Sequence, residues 1–371
     1  MNESSVSSAP IQEFHLWEKM RNRKSPVSFS LELTARCNNN CRHCYINLPV
    51  GDKAAKEEEL SFEEIKGIAD EAISLGAIWC LLTGGEPLLR EDFFDIYLYL
   101  KRKGLLVQVF TNAVLITEEH IKLFKKYPPR DIEVSVYGVT KETYERVTRR
   151  AGSFDAFIRG LNLLIENGIR VRFKAIALRS SYHEMPEIAR FCRERTKDYF
   201  RFDPLIHLRF DGDPVRNEEI KSERLSPDEI VELESSDMEK FQIMQDHCDT
   251  LIRPEFSRIS TNHVFRCNIA NGSFDVSYNG FFRLCSSLCH PDCVYDLRKG
   301  SLTDAWRNFV PRVQDMRSDR KEFLENCRVC PILNLCLWCP AHAYLETGEL
   351  DSKVEYFCEV AHARAKMLAK T

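Results

Sequence analysis

Between about Val27 and Phe210, six short β-branched runs alternate with amphipathic stretches, and this alternation limits the chain more than any other feature. The runs expected as strands are 28–33, 78–82, 105–110, 132–136, 171–177 and 205–210. Between them, 62–75, 91–102, 118–126, 154–167 and 185–195 carry apolar residues at helical spacing. Ser61 with Glu64 makes an S-x-x-E capping box at the head of the first of these helices. Strand–helix alternation of this kind builds an α/β domain on a parallel sheet, open or closed into a barrel. Parallel sheets carry their chemistry at the carboxyl ends of the strands, so the loops there are the first place to look for a site.

After Leu225 the stretch 226–247 reads as one charged connecting helix. Beyond it the texture changes to glycine, aromatics and cysteine with little periodicity, as expected of a small lobe organised around metal. The chain of 371 residues is long enough for two such units. We divide it into an amino-terminal segment 1–26, a core 27–225, a linking helix 226–262 and a carboxy-terminal domain 263–371. A charge of −4 makes nucleic acid a poor default partner. The Ala77–Leu82 stretch is a short apolar run, far from the roughly 18 residues of a membrane helix. The first residues lack the basic and apolar regions of a secretory signal, so a cytoplasmic protein away from membranes is expected.

Cysteine is the outlier, with 15 in the chain. In a reducing compartment, clustered cysteines hold metal more often than they form disulfides. Cys37, Cys41 and Cys44 follow the first strand at spacing C-x3-C-x2-C; Cys80, Cys192 and Cys248 are scattered; the rest lie between Cys267 and Cys358. An iron–sulfur cubane normally takes four cysteines, so three on one loop leave one iron open. A structural zinc site is the alternative, but it wants four closed ligands, usually as paired C-x2-C units.

With Tyr45 behind it, the Cys37–Cys41–Cys44 triplet resembles the signature of the radical S-adenosylmethionine (SAM) superfamily. That resemblance implies a 4Fe–4S cluster whose open iron chelates SAM and cleaves it to a 5′-deoxyadenosyl radical. It also implies a partial (β/α)6 TIM-type barrel. Thr83-Gly84-Gly85-Glu86-Pro87, one β–α unit later, matches the family's GGE loop, so Gly84, Gly85 and Glu86 are expected to meet the methionine amino group. Phe110-Thr111-Asn112 resembles the family's TNG, with Ala113 in place of glycine. Val134-Ser135-Val136-Tyr137-Gly138 stands where relatives read S-x-D-G. Ser135 and Lys174 are expected to face the ribose or carboxylate of SAM, and His43 its adenine, against the alternative of ordinary packing. Arg201, His207, Arg209, Asp211 and Asp213 read as solvated loop charges, or else as the lining of the substrate entrance.

The carboxy-terminal cysteines resemble the SPASM domain, a small iron–sulfur module. Cys267-x12-Gly280-x4-Cys285, then Cys327-x2-Cys330-x5-Cys336-x2-Cys339, then Cys358 match its pattern, except that the last spacing is usually three. A zinc ribbon on Cys327, Cys330, Cys336 and Cys339 would leave Cys267, Cys285 and Cys358 unexplained. The resemblance implies an outer 4Fe–4S cluster on Cys327, Cys330, Cys336 and Cys358. It implies an inner one on Cys267, Cys285 and Cys339, with Cys289 favoured over Cys293 or an open iron as fourth position. Three 4Fe–4S clusters and SAM are the expected cofactors, with flavodoxin or ferredoxin as electron donor. The activity this implies is oxidative modification of a peptide or protein side chain, by crosslinking or two-electron oxidation. With only about 26 residues before the first strand, a peptide leader would then be recognised by the barrel, by that short amino-terminal segment or by a separate peptide-recognition protein. The alternatives are a radical enzyme acting on a tetrapyrrole or sugar, and a non-catalytic electron carrier.

Overall fold

The computed structural model describes residues 25–198, 200–246, 261–265, 267, 272–336 and 338–369. Six strands, β1 (Ser28–Glu32), β2 (Trp79–Thr83), β3 (Leu106–Thr111), β4 (Asp131–Val136), β5 (Val171–Ile176) and β6 (Arg201–Asp203), pair in parallel and in chain order. Three more, β7 (Ser273–Val276), β8 (Phe281–Arg283) and β9 (Val294–Asp296), continue the same sheet beyond β1. β7 lies parallel to β1, with Phe29 beside Phe274, and turns back antiparallel into β8 and β9. β6 and β9 end the strand order, so the described residues form an open, mostly parallel partial barrel.

Seven helices accompany the six barrel strands: α1 (Lys53–Glu58), α2 (Phe62–Leu75), α3 (Phe93–Arg102), α4 (Glu118–Lys126), α5 (Lys141–Thr148), α6 (Ser153–Glu166) and α7 (Met185–Arg195). α2 starts where its capping box requires. The Ser61 amide donates to Glu64 Oε2 at 2.7 Å and the Glu64 amide to Ser61 Oγ at 3.3 Å. Its buried stripe, Ile65, Ile68, Ala69 and Ala72, joins Phe29, Leu82 and Val107 in one apolar core. That core also takes in Phe274, Phe282, Trp306 and Val360, so the carboxy-terminal strands are packed on the barrel as part of the same interior. Fully burying a side chain such as Phe274 stabilises by about 1.5–3 kcal/mol. α8 (Pro214–Glu223), α9 (Pro227–Ser236), α10 (Met238–Asp246), α11 (Pro340–Thr347) and α12 (Glu355–Leu368) complete the longer helices. α9 is pinned to α12 by a buried pair, Arg364 on Glu234 at 2.7 and 2.8 Å.

Five expected strands fall within one residue of their positions, and the sixth does not. It is Arg201–Asp203 rather than 205–210, because Pro204 has no amide to continue the ladder. The alternation of 205–210 is real but serves another purpose: Ile206 and Leu208 enter a separate small core with Val147, Leu178 and Ile220. The expected single helix after Leu225 is two, broken at Asp237, whose carboxylate takes Arg193 at 2.8 and 2.9 Å. The end of that stretch, with Cys248, lies outside the described residues. Cys80 and Cys192 are buried core residues. Among the described residues no helix is long and apolar enough to cross a membrane.

Candidate functional site

The chain leaves β1 into the loop that carries Cys37, Cys41 and Cys44. A two-residue parallel ladder, Arg36 beside Leu48 and Cys37 beside Pro49, ties the loop's ends together. Basic side chains then hold its backbone. Arg209 Nη1 donates to the Cys44 carbonyl at 3.1 Å and to Asn47 Oδ1 at 3.1 Å. Arg216 reaches the Cys41 carbonyl at 3.0 Å and Asn40 Oδ1 at 2.6 Å, and Arg150 the Asn38 carbonyl at 2.7 Å. The three cysteines line one cavity at the carboxyl ends of β2 to β5. Burial holds the Cys37 and Cys41 thiols well above the ordinary range, and neighbouring negative charge adds to it: Glu86 and Cys44 for Cys37, Cys37 and Cys44 for Cys41. Ionising three such thiols together needs a cationic centre between them.

The glycines of the next loop are dictated by this one. A Cβ on Gly84, at φ +129°, would lie 2.3 Å from the Thr34 carbonyl oxygen, and one on Gly85 2.4 Å from that of Arg36. The approach is sealed by Gly85 N donating to Thr34 O at 2.7 Å and Glu86 N to Arg36 O at 3.0 Å. Gly84 and Gly85 line the cavity; Glu86 does not. The Glu86 carboxylate is fully buried and accepts from Thr111 Oγ1 and the Asn112 amide, both at 2.8 Å, and from the Leu88 amide at 3.1 Å. Burial raises its pKa to about 7. It therefore ties the ends of β2 and β3 together.

His43, Ser135 and Lys174 all face the cavity. His43 is buried against the Tyr137 ring at 5.2 Å and kept neutral, its pKa lowered to about 3 by burial and by Lys174 and Arg216. The Tyr137 hydroxyl bonds to Ser135 and to Cys41. Lys174 pairs with Asp203 at 3.0 Å. Ala113, where a glycine was expected, is buried at φ 61°, the left-handed conformation a glycine would take without strain. Arg201, at the start of β6, is solvent-exposed, and so are Asp211 and Asp213. Arg209 is 3% exposed and braces the cysteine loop, Asp211 pairs with it, and Asp213 caps α8. His207 is enclosed by aromatic rings. Arg216 carried no recognisable motif, and its role follows only from the folded arrangement.

The carboxy-terminal cysteines fall into two groups. Cys327, Cys330, Cys336 and Cys358 stand together: burial raises the thiols of Cys327, Cys336 and Cys358, and neighbouring cysteines of the group, Cys330 among them, add to it. Cys285, Cys339 and Cys267 form a second such group, with burial pushing Cys285 up to about 12 and Cys339 to about 11. Cys289 feels Arg283 and Glu32, and Arg283 Nη1 donates to its sulfur at 3.4 Å. Cys289 also lines a second cavity, together with Tyr45, Ile46, Phe210 and the buried pair Arg283–Glu32. Tyr45 and Ile46 belong to both cavities and form the partition between them. Among the described residues no three His, Cys, Asp or Glu side chains converge on a single-ion position. A four-iron cubane is much larger than one ion, so its thiolates stand further apart.

The Radical SAM superfamily model matches residues 31–192, which carry the cysteine triplet and β1 to β5. The chain is 30% identical over 352 residues to the Fe-coproporphyrin III synthase of Methanosarcina barkeri, covering 87% of this chain and 84% of that one. The chain belongs to the radical SAM superfamily. It is also 29% identical over 179 residues to AlbA of Bacillus subtilis, an antilisterial bacteriocin subtilosin biosynthesis protein, covering 48% of this chain and 39% of that one. In three dimensions it is similar to Streptococcus suis SuiB bound to SAM, at TM-score 0.66 and 15% identity over 96% of this chain and 83% of that one. The radical SAM fold and oxidoreductase-type chemistry follow, with one 4Fe–4S cluster and SAM as the family's cofactors. The cavity fits them. It offers three thiols to a cluster. It also offers a polar ligand the Asn39 amide and His43 Nδ1, buried polar groups with no partner among the described residues.

Proposed function

We propose that the protein is a radical SAM oxidoreductase with two further clusters, and that its substrate lies in the second cavity. In this reading Cys37, Cys41 and Cys44 hold the first cluster. Cys327, Cys330, Cys336 and Cys358 hold the outer auxiliary cluster, and Cys267, Cys285 and Cys339 the inner one. The residue ranges 27–225, 226–262 and 263–371 are then core, linker and auxiliary-cluster domain, in a cytoplasmic protein reduced by a flavodoxin or ferredoxin. When bound, the first cluster and SAM supply a 5′-deoxyadenosyl radical. Gly84, Gly85, Ser135 and Lys174 orient SAM from the strand ends, and His43 packs beside it. Glu86 supports this arrangement from behind, by fixing the two strand ends.

The observation that carries the substrate assignment is the partition itself. Among the described residues Tyr45 and Ile46 border both cavities, so a substrate in the second lies one layer of side chains from the cavity in which the radical would form. The walls of the second cavity include the apolar side chains Leu48, Phe210, Phe281 and Val294. Its charged lining is Arg283, 4% exposed and paired with Glu32, together with Asp211; the Arg283 Nε–H has no partner among the described residues. A substrate carboxylate or carbonyl oxygen would complete it. A flat apolar molecule with peripheral carboxylates suits this chemistry, and the relative named as an Fe-coproporphyrin III synthase shares most of its length with this chain. We therefore favour oxidation of a tetrapyrrole-type molecule. Modification of a peptide side chain is the second reading, favoured by the AlbA match, which spans less than half of either chain.

The test is anaerobic turnover of reduced enzyme and SAM with a panel of carboxylated iron porphyrins and hydroporphyrins, with iron coproporphyrin III as the product standard because that is what the relative is named for making, followed by mass spectrometry. Deoxyadenosine formed together with a mass loss from a panel member supports the tetrapyrrole reading. Deoxyadenosine formed with every panel member unchanged, at full cluster content, contradicts it in favour of the peptide reading. No deoxyadenosine from enzyme loaded with iron at Cys37, Cys41 and Cys44 would contradict both.

A further inference from the structure

One half-buried imidazole stands between the two cavities and the carboxy-terminal cysteines. His207, in the segment that follows β6, packs on Tyr45 with ring centroids 4.7 Å apart and stacks on Phe210 at 5.5 Å and 6°. Its third neighbour is another imidazole, His342, at 5.1 Å and 22°. Tyr45 follows Cys44 directly and borders both cavities, while Phe210 lines the second. His342 lies in the first turn of α11, and its backbone amide donates to Cys339 Sγ at 3.4 Å. The series continues from His342 to the Phe357 ring at 5.7 Å, and the Phe357 carbonyl accepts from Cys336 Sγ at 3.5 Å. A single file of rings thus touches the cysteine triplet, the substrate cavity and both groups of carboxy-terminal cysteines.

Packing alone does not ask for two half-buried imidazoles face to face: phenyl rings would fill the same volume without ring nitrogens that need partners. His207 is held in one orientation by donating Nδ1–H to the Leu208 carbonyl at 3.1 Å. Burial, and then the neighbouring His342, lowers its pKa to about 3, so the ring is neutral. Neutral rings in van der Waals contact offer an electron a continuous π path. A gap filled by aliphatic carbon at the same place would couple the two ends more weakly.

We propose that Tyr45, His207 and His342 form the electron path between the first cluster and substrate cavity on one side and the inner cluster on the other. This rests on the auxiliary-cluster reading above. The elementary step moves one electron and no proton: the donor centre is oxidised by one, the acceptor centre is reduced by one, and no bond forms or breaks. His207 and His342 are positioning residues for that transfer, since neither touches SAM.

The test uses full-length, anaerobically reconstituted protein with SAM, reduced by about one electron per chain with a flash of photoexcited deazaflavin. Freeze-quench electron paramagnetic resonance then reads how fast the electron redistributes among the clusters. In His207→Leu and in His342→Leu the redistribution should slow about tenfold or more, with iron content unchanged. His207→Phe, which keeps a stacked ring, should stay within about threefold of the parent. His290→Leu, which removes an imidazole packed on Tyr344 outside the series, should change nothing. A parental rate in a fully loaded Leu variant overturns the proposal. So does a tenfold loss in His207→Phe, which decides the matter even if both Leu variants fail to fold. A parent protein with only about four iron would instead refute the auxiliary clusters on which the path depends.

Discussion

Replacing Gly85 with alanine should damage the cysteine loop from outside it. The added Cβ would sit 2.4 Å from the Arg36 carbonyl oxygen and 2.5 Å from that of Ala35, both backbone atoms that no rotamer can move. Reaching even 3 Å requires the two loops to part by roughly 0.6 Å, a strain that typically costs about 1–3 kcal/mol in a packed interior. The same movement stretches the Gly85 N to Thr34 O and Glu86 N to Arg36 O bonds, each contributing about 1 kcal/mol. Together these predict a loss of about 3–5 kcal/mol and a displaced Cys37. Gly67→Ala is the control. Gly67 lies in α2 with nothing within 4 Å of a built Cβ, so alanine there should stabilise by about 0.5–1 kcal/mol. Urea unfolding of the apoprotein and iron bound after reconstitution measure both effects. If Gly85→Ala matches Gly67→Ala in midpoint and iron, the close approach of the two loops does not hold the site.

The buried pair between α9 and α12 should show the asymmetry of internal charges. Arg364→Met alone should cost about 3–5 kcal/mol by stranding Glu234, while Glu234→Met with Arg364→Met should recover most of it, as read by urea unfolding. Glu86 should make stability fall with rising pH. Its folded pKa of about 7 lies above its ordinary 4.5, so its contribution is full below about pH 4.5 and lost as pH rises through 7, a change of roughly 3 kcal/mol. Glu86→Gln should remove that slope; a difference between parent and variant that is constant from pH 4.5 to 7 would count against the buried carboxyl. Lys174→Met should weaken SAM binding about tenfold by equilibrium dialysis with iron content unchanged, and unchanged binding would remove Lys174 from the cofactor site.

What the sequence made legible was periodic or clustered. The β–α alternation, the Ser61–Glu64 box and the spacing of Cys37, Cys41 and Cys44 each state a local geometry in adjacent residues. The sixth strand was misplaced because its alternation continues past Pro204, into a segment that buries Ile206 and Leu208 outside the sheet. Arg209 read as a loop charge and Arg216 drew no notice, because no local pattern distinguishes an arginine facing water from one facing the carbonyls of Cys44 and Cys41, more than 160 residues earlier. The two glycines were legible as a close approach, but what they approach is the backbone of Thr34–Arg36, a contact set by the pairing of β1 with β2. His207 with His342, and Arg283 with Glu32, are likewise products of tertiary folding, each joining the barrel to the carboxy-terminal region.

The central claim is that the cysteine triplet and the two carboxy-terminal groups each hold a cubane. Iron and acid-labile sulfide, quantified per chain after anaerobic reconstitution and desalting, test it most directly. Three clusters predict about twelve of each per chain, falling to about eight when Cys37, Cys41 and Cys44 are replaced together by alanine. About four iron in the parent protein, or zinc in place of iron at the carboxy-terminal cysteines, would contradict the account.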